Sequence, residues 1–426
     1  MTGRRSIVSS PASASPRPTS SPSSAGVSSP SCLPRLLGAS PSTIRCSAKP
    51  ASASPVSPGA GTRSAPHFQT NFVRAQRVLQ ISASLPLAHG AYRMVPTALL
   101  PAPTPPKPSP RASAHEVQEY RQAARRARLP WLAAQQSVCL RQALDAEPNG
   151  SQAPLLLFVD GGYTHGTVAK KLPPRTTLVG RIRKDAQLYF LPQPPPAPKP
   201  RGRPRPYGAP APTPEPLRMD DSAPWTSVDV SLSAAPHALR VKRLKDILWR
   251  PAGLHHTLPL VVIAPLGYRL RKHSKLLYRR PAFLICTDPE LDLHALVQGF
   301  VQRWNIEVNF REEKILLGVG QAQVRNADSV EALPALPVAS YALLLATLRA
   351  FQGPVKPHLL PPPKWAADTA PRRFSTQRAI QQLPAEVWGR ALALANFSGF
   401  AAPSTPTTKP QKFLPDLPSA LLYAVN

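Results

Sequence analysis

Three stretches of this 426-residue chain predict an α/β fold. Leu155 to Val159 is a continuous apolar run, which is typical of a buried parallel strand. Phe300 to Lys314 contains no Pro or Gly, and the apolar residues Phe300, Trp304, Val308 and Ile315 recur at helical spacing. Residues 225 to 287 are rich in strand-like runs. Together these stretches predict a sheet with helices packed on it.

The charge of the chain is far outside the ordinary range for a globular protein. It carries 52 Lys and Arg against 22 Asp and Glu, a formal net charge of +30. A positive field of this size attracts a polyanion, and nucleic acid is the first candidate. An anionic membrane surface is the alternative. The longest apolar helical candidate, Val338 to Leu348, is shorter than the ~18 residues of a membrane span, so we expect no membrane partner.

Cysteine usage indicates neither disulfides nor zinc. The four cysteines are scattered without paired spacing, which fits a reducing cytoplasm.

Residues 1–65 are low in complexity and rich in Ser, Pro, Ala and Arg, so we expect this segment to be disordered. Its only strand-like pieces are Ser6–Val8 and Thr43–Cys46. No Asp or Glu occurs before Glu116.

Residues 66–190 predict the first part of the core. Phe68 to Ser82 and Tyr92 to Leu100 are expected to form the two strands of a hairpin. His115 to Ala146 predicts a helix, or a helix pair broken near Pro130. The apolar strand then leads to Asp160, followed by a short helix through Val168 and a strand from Thr176 to Ile182.

Asp160 has two interpretations. Functional side chains in α/β sheets favour the carboxyl ends of strands, where Asp160 stands. Alternatively, its side chain could cap the next helix. The basic residues Arg181, Arg183 and Lys184 lie at and just after the end of the next strand.

Residues 191–280 predict a Pro-rich, basic linker and a β-rich insertion. The linker contains Arg201-Gly202-Arg203-Pro204, which resembles an AT-hook. Because this motif is only four residues long, the sequence favours a charged spacer over an AT-hook. Strands are expected at Ser227–Leu232, Leu239–Lys242, Leu258–Pro265 and, beyond the insertion, Pro281–Thr287.

Residues 281–351 predict the second part of the core. Leu291 to Leu317 is expected to form a helix that could break at Gly299 and that ends at Gly318 and Gly320. Arg303, Glu307, Arg311 and Lys314 share one face of this helix. Ion pairs on an exposed helix would give the same pattern. A second helix is expected from Val338 to Phe351, and residues 352–426 predict a partly ordered tail.

The order aromatic, Arg, Glu, Lys in the segment from Phe300 to Lys314 resembles the Tyr-Arg-Glu-Lys signature of bacterial insertion-sequence DDE transposases, with Phe300 at the Tyr position. This resemblance implies an RNase H-like core, in which Asp160 and Glu307 match the second and third metal-binding acids. Arg303 and Lys314 match the residues that hold DNA. Mg²⁺ or Mn²⁺, two ions in a complete family member, would be the cofactor.

Three further cations, Arg311, Arg181 and Arg183, are candidates for DNA contact. The resemblance also implies transposon-end and target DNA as partners, with a homodimer possible on the DNA, in the nucleoid of a bacterial cytoplasm.

The first acid of the family should lie on the first, central strand of the core, upstream of the Phe68 hairpin. That part of the chain contains no acid, so the core is expected to be incomplete at its first strand. Thr43 to Cys46 could fill the gap without supplying a carboxylate. Either the gene start is truncated or out of frame, or residues 1–65 have replaced the true N-terminal region.

We therefore expect a DDE-type transposase, a class that cleaves and transfers DNA strands with metal ions in the transposition of an insertion sequence. The chain would be a truncated or frameshifted copy that lacks the first catalytic Asp, so we expect it not to cleave DNA as it stands. A non-catalytic DNA-binding remnant, or a basic protein associated with RNA or membranes, is the alternative.

Overall fold

A computed structural model describes most of the chain between residues 44 and 351. The described residues are 44–52, 60–61, 72–73, 76–87, 92–193, 205–232, 235–254, 256–269, 273–324, 326–351, 375–377 and 379–381. All of them belong to one compact unit. The AT-hook-like segment and the strand predicted at Ser6–Val8 lie outside the described residues, as does most of the predicted C-terminal tail.

The described strands form one large mixed sheet of eleven strands and two small two-stranded sheets. The large sheet has the order β5-β4-β1-β6-β7-β15-β12-β11-β8-β9, with β10 paired to β11. Its strands are β1 (Ile44–Ser52), β4 (Arg77–Pro86), β5 (Tyr92–Pro101), β6 (Leu155–Val159), β7 (Thr176–Arg181), β8 (Leu188–Phe190), β9 (Pro210–Ala211), β10 (Thr226–Leu232), β11 (Ala235–Leu248), β12 (Leu258–Ile263) and β15 (Ala282–Cys286). The small sheets pair β2 (Ala60–Gly61) with β3 (Phe72–Val73) and β13 (Gly267–Tyr268) with β14 (Leu277–Tyr278).

Helices cover the sheet. They are α1 (Ala114–Arg126), α2 (Leu129–Asp145), α3 (Gly166–Ala169), α4 (Pro214–Met219), α5 (Leu293–Gln302), α6 (Asn305–Ile315), α7 (Ala327–Ala332) and α8 (Ala335–Phe351). The predicted helix pair near Pro130 is confirmed as α1 and α2, because Pro130 lies in the first turn of α2, where its missing N–H breaks no helical hydrogen bond.

Strand β1 corrects the expectation of disorder through residue 65. Its backbone pairs antiparallel with β4 from Cys46 to Ser52 and parallel with β6 from Ile44 to Ala48. Beyond Cys46, the local sequence of this segment does not predict a strand. Pairing with a strand on each side nevertheless satisfies its backbone N–H and C=O groups. The gap expected between the hairpin and the Leu155 strand is therefore filled by Ile44–Ser52, which begins within the piece predicted at Thr43–Cys46 and extends beyond it.

The predicted hairpin and the Leu155 strand are both confirmed. Strands β4 and β5 pair antiparallel, although β4 begins at Arg77, later than expected. All five residues of β6 are buried. Leu155, Leu157 and Val159 face a core that also contains residues of α2 and α3, whereas Leu156 and Phe158 face a core shared with α5. The sheet is thus covered on both faces.

The β-rich segment extends the large sheet. Strand β15 pairs with β7 on one side and with β12 on the other, and β12 pairs with β11. The strands expected at Ser227–Leu232, Leu239–Lys242, Leu258–Pro265 and Pro281–Thr287 correspond to β10, part of β11, β12 and β15.

The signature helix is two helices, which corrects the expected break at Gly299. Helix α5 ends at Gln302, and α6 begins at Asn305 after a tighter turn in which the N–H of Trp304 donates to the carbonyl of Val301. Gly299 instead lies inside α5, against the ring of Phe158. Gly318 and Gly320 follow α6 with positive φ, as expected for residues that end a helix.

The apolar stripe predicted for this segment is also partly wrong. Trp304 and Ile315 are 57% and 70% exposed. The buried face of α6 consists of Ile306, Asn309, Glu312 and Glu313, three of which are polar.

Helix α8 begins at Ala335, before Pro337, and thus earlier than expected. Its residues Tyr341 and Leu345 pack with Leu85 and Val95 of the β4–β5 hairpin. By length and composition alone, the helical stretch Asp328–Thr347 could cross a membrane, contrary to the expectation that the apolar run is too short. One side of α8 packs on the hairpin, whereas Leu336 and Leu343 are exposed.

We predict that Gly299→Ala destabilises the fold. A Cβ at residue 299 would lie 2.0 Å from Cζ of the buried Phe158 ring, so helix α5 or the ring must shift. Overpacking of this kind costs about 1–3 kcal/mol, which urea denaturation would measure. The control is Gly162→Ala, where an added Cβ meets no atom of the described residues within 4 Å. Equal unfolding midpoints for the two variants would contradict the packing.

Candidate nucleic-acid interface

Asp160 lies directly after the last residue of β6, where the chain turns. Its carbonyl accepts hydrogen bonds from the N–H groups of Tyr163 and Thr164. Helix α3 is capped by His165, whose side chain accepts from the N–H of Thr167. The side chain of Asp160 is therefore not the cap of the next helix, and the capping interpretation is wrong. The Asp160 carboxylate lies at the carboxyl end of β6 and is 38% exposed.

Arg303 reaches Asp160 from the junction between α5 and α6. Its Nη2 lies 3.9 Å from Oδ1 of Asp160, although the two residues are far apart in sequence. The guanidinium also lies 5.3 Å from the centre of the Phe300 ring. This contact joins the strand-end Asp to the signature segment.

The guanidinium of Arg303 is buried and incompletely paired. Its side chain is 8% exposed, and its Nε and Nη1 have no hydrogen-bond partner among the described residues. Burial lowers the pKa of Arg303, the charge of Asp160 opposes this shift, and Arg181 adds to it. An arginine stays protonated under such shifts. The site therefore holds a cation with unused hydrogen-bond donors.

A cleft of about 980 Å³ opens beside Asp160 at the ends of β6 and β7. We call it the Asp160 cleft. Its charged lining residues are Asp160, Arg181, Arg183, Lys184, Asp185, Glu215 and Arg280. Gly161 and Gly162 line the same cleft, so backbone without side chains forms part of its wall.

Local partners modify these charges. Arg183 donates two hydrogen bonds of 2.9 Å to the carboxylate of Asp185, and both residues are exposed. This pairing raises the pKa of Arg183 and lowers that of Asp185. Arg181 donates to the carbonyl of Pro281 at 3.3 Å, a neutral partner that leaves the charge of its guanidinium available at the rim of the cleft.

The remaining predicted residues lie on α6. Glu307 is half-buried in the first turn, whereas Arg311 and Lys314 are exposed further along the helix. None of the described residues that line the Asp160 cleft comes from α6. The structure thus brings together Asp160, Arg303, Arg181 and Arg183, and it places Glu307, Arg311 and Lys314 on the following helix.

A buried polar network holds α6 against the sheet, and the sequence did not predict it. Glu312 pairs with Arg93 of β5 at 3.2 Å and accepts hydrogen bonds from the hydroxyls of Tyr341 and Thr376. The Tyr341 hydroxyl oxygen also lies 3.2 Å from Oδ1 of Asn309, whose side-chain amide donates to the carbonyl of Met94. Polar residues at helical spacing from Asn309 to Glu313 were the only sequence signal for this network.

The donor set does not fit a two-metal site. Within the described residues, no group of three or more His, Cys, Asp or Glu side chains is arranged to hold a metal ion. The sequence of the central strand β1, IRCSAKPAS, contains no carboxylate. Hard divalent cations require several oxygen ligands, whereas the charged partner that Asp160 meets across the site is a guanidinium.

No family model matches this chain, and no curated protein matches it.

We predict that Glu312→Gln strongly destabilises the protein. The substitution leaves Arg93, whose side chain is 4% exposed, without this carboxylate. Breaking a buried ion pair costs about 3–5 kcal/mol, measurable by chemical denaturation. Asp185→Asn is the control because it breaks an exposed pair, whose loss should change the free energy of unfolding little. Similar losses for both variants would show that Glu312 is not an anchor.

Proposed function

We propose that this chain is a DNA-binding protein of the DDE transposase class that does not itself cleave DNA. The contact between Arg303 and Asp160 carries the proposal. It joins the two parts of the sequence that resemble this class independently, the Asp160 strand end and the signature segment.

The position of β1 supports an RNase H-like core. The resemblance requires a first, central strand between the hairpin and the strand that delivers Asp160. Strand β1 pairs with β4 of the hairpin and with β6, and it runs parallel to β6. This arrangement, with β7 parallel to β6 on the far side, is the one expected of the proposed core.

Charge and exposure support DNA as the partner. Arg181, Arg183, Arg311 and Lys314 are exposed, and the whole chain carries a formal charge of +30. Cations of this kind bind phosphates without reading base sequence. Arg303 would contribute its positive charge from below, since its guanidinium is buried beside the more exposed carboxylate of Asp160.

The missing first metal-binding carboxylate separates this chain from a cleaving enzyme. In a complete family member, three carboxylates hold two metal ions that activate the attacking group and stabilise the leaving oxygen. By the resemblance, Asp160 and Glu307 would be two of these carboxylates, but Glu307 does not line the Asp160 cleft, and β1 supplies no carboxylate. Because the donor set does not fit the ions, the proposed role is binding alone. The bacterial nucleoid as its location and a homodimer on DNA remain predictions.

We predict salt-sensitive and largely sequence-independent DNA binding. Each phosphate contact releases counterions, so affinity should fall about 10³-fold or more between low and physiological salt if six or more contacts form. Arg181→Ala and Lys314→Ala should each weaken binding to all sequences and reduce the salt slope by about one. Fluorescence anisotropy with duplexes of unrelated sequence would measure both effects.

Arg111→Ala is the matched control for this experiment, because Arg111 is exposed and does not line the Asp160 cleft. An equal loss in the control would contradict the assigned surface. Affinity that is independent of salt would contradict the electrostatic basis of the proposal.

A separate prediction concerns chemistry. With Mg²⁺ or Mn²⁺ and DNA that carries the ends of the element, the chain should bind without cutting. Gel analysis of end-labelled DNA would detect nicks. Cleavage that disappears in Glu307→Ala would confirm the class and contradict the loss of activity.

A further inference from the structure

A second acid on α6, Glu313, is buried against an amide of the sheet. Glu313 is 2% exposed, and Gln80 of strand β4 is fully buried. Nε2 of Gln80 donates a 2.9 Å hydrogen bond to Oε1 of Glu313. Unlike Glu312, which is paired with Arg93, Glu313 has no ion pair among the described residues.

The amide of Gln80 needs a donor that a carboxylate does not supply. Its Oε1 is buried and has no hydrogen-bond partner within the described part of the chain. A buried acceptor without a donor is costly. An ionised carboxyl only accepts hydrogen bonds, whereas a protonated one also carries an O–H donor. A neutral Glu313 can thus accept from Nε2 and donate to Oε1 of the same amide.

We propose that Glu313 is held as a neutral carboxylic acid paired with the Gln80 amide, and that this pair fastens the end of α6 to the sheet. The pair is a proton-dependent latch between the signature helix and strand β4. Glu313 itself lies off the face that carries Arg303 and Lys314, so the latch would affect DNA binding only through the position of α6.

The surroundings of Glu313 favour the neutral form. A small cavity of about 30 Å³ beside it is otherwise lined largely by apolar residues, among them Val78, Leu99 and Val338. Burial raises the pKa of Glu313 to about 7, with Gln80 opposing the shift and the charge of Glu312 adding to it. This shift agrees with the acid–amide pair inferred from the hydrogen bond of Gln80 Nε2 to Glu313 and the unpartnered Oε1 of Gln80.

Of the other charged groups near the latch, Lys314 lines the same cavity and its charge lowers the pKa of Glu313, although burial outweighs it. On α6 itself, the charged groups are Glu312 and the exposed Lys314. From β5, Arg93 pairs with Glu312, and from α8, Tyr341 donates to Glu312. From β4, Arg77 donates to the carbonyls of Ala102 and Ala127.

The direction of the pH dependence follows from the raised pKa. The folded chain holds the proton more tightly than the unfolded chain, whose Glu313 titrates near 4.5. Stability from this group is therefore fully present below pH 4.5 and is lost as pH rises to about 7. Ionisation would place an unpaired charge beside Glu312 and loosen the turn that carries Lys314.

The test compares thermal unfolding of the full chain and of Glu313→Gln from about pH 5 to about pH 8. A glutamine can accept from and donate to Gln80 without a charge, so it mimics the neutral acid at every pH. Relative to the variant, the wild type should lose roughly 5 °C of Tm as pH rises. A parallel pH dependence in both proteins would overturn the proposal.

Infrared spectroscopy gives a second measurement that does not depend on the stability of a variant. At about pH 5.5, the wild type should show the carbonyl stretch of a protonated buried carboxyl, since burial keeps such a group neutral above its ordinary pKa. Glu313→Gln should lack this band. Its absence in the wild type would overturn the latch.

The functional consequence rests on the proposed function and is measured separately. At constant salt, DNA affinity of the wild type should decrease across the same pH range more than that of Glu313→Gln. Equal decreases would remove the link to DNA binding. Because the unfolding and infrared measurements contain no DNA, the latch and the proposed function can fail independently.

Discussion

The contact between Arg303 and Asp160 depends on three features that the chain must provide together. The apolar strand β6 must end beside the cleft, so that Asp160, which follows its last residue, lines the cleft. Helix α5 must approach β6 closely, which Gly299 permits by leaving room for the Phe158 ring. The chain must then turn at Arg303, so that the guanidinium lies near the Asp160 carboxylate. A buried guanidinium is tolerated only near a compensating charge. The break between α5 and α6 is thus part of the site.

A different set of interactions holds α6 after this turn. Its buried face is polar, and it is anchored by an ion pair from Glu312 and an amide from Gln80. Buried polar groups fix one arrangement because each unmet partner is costly. The outward face, with Arg311 and Lys314, is therefore presented from a helix whose orientation is set by specific contacts. A helix packed only by apolar side chains would be free to rotate more.

Local sequence patterns predicted the elements whose signals are local. The apolar run of β6, the hairpin of β4 and β5, and the helix pair at Pro130 follow from periodicity and turn residues within each segment. Strand β1 could not be predicted this way. It contains Lys49 and Pro50, and its order comes from pairing with strands that lie far along the chain. Pro50 lies beyond the part of β1 that pairs with β6, so its missing N–H breaks no bond there.

The candidate site likewise contains residues that local sequence signals predicted and residues that they did not. Asp160 and Arg303 were predictable because strand ends and motif spacing mark them. Glu312 and Glu313 match no catalytic position, and their anchoring role depends on Arg93 and Gln80, which sequence spacing cannot place nearby. The exposure of Trp304 and Ile315 has the same origin, since partners distant in sequence decide which face of α6 is buried.

DNA is proposed to bind at the surface formed by the Asp160 cleft and the segment from Arg303 to Lys314. Hydrogen exchange of the full chain with and without duplex DNA tests this central claim most directly, since binding slows exchange where backbone opening is suppressed. We expect protection concentrated at residues 160–164, 181–186 and 303–314. Unchanged exchange in these segments, with protection elsewhere, would contradict the claim.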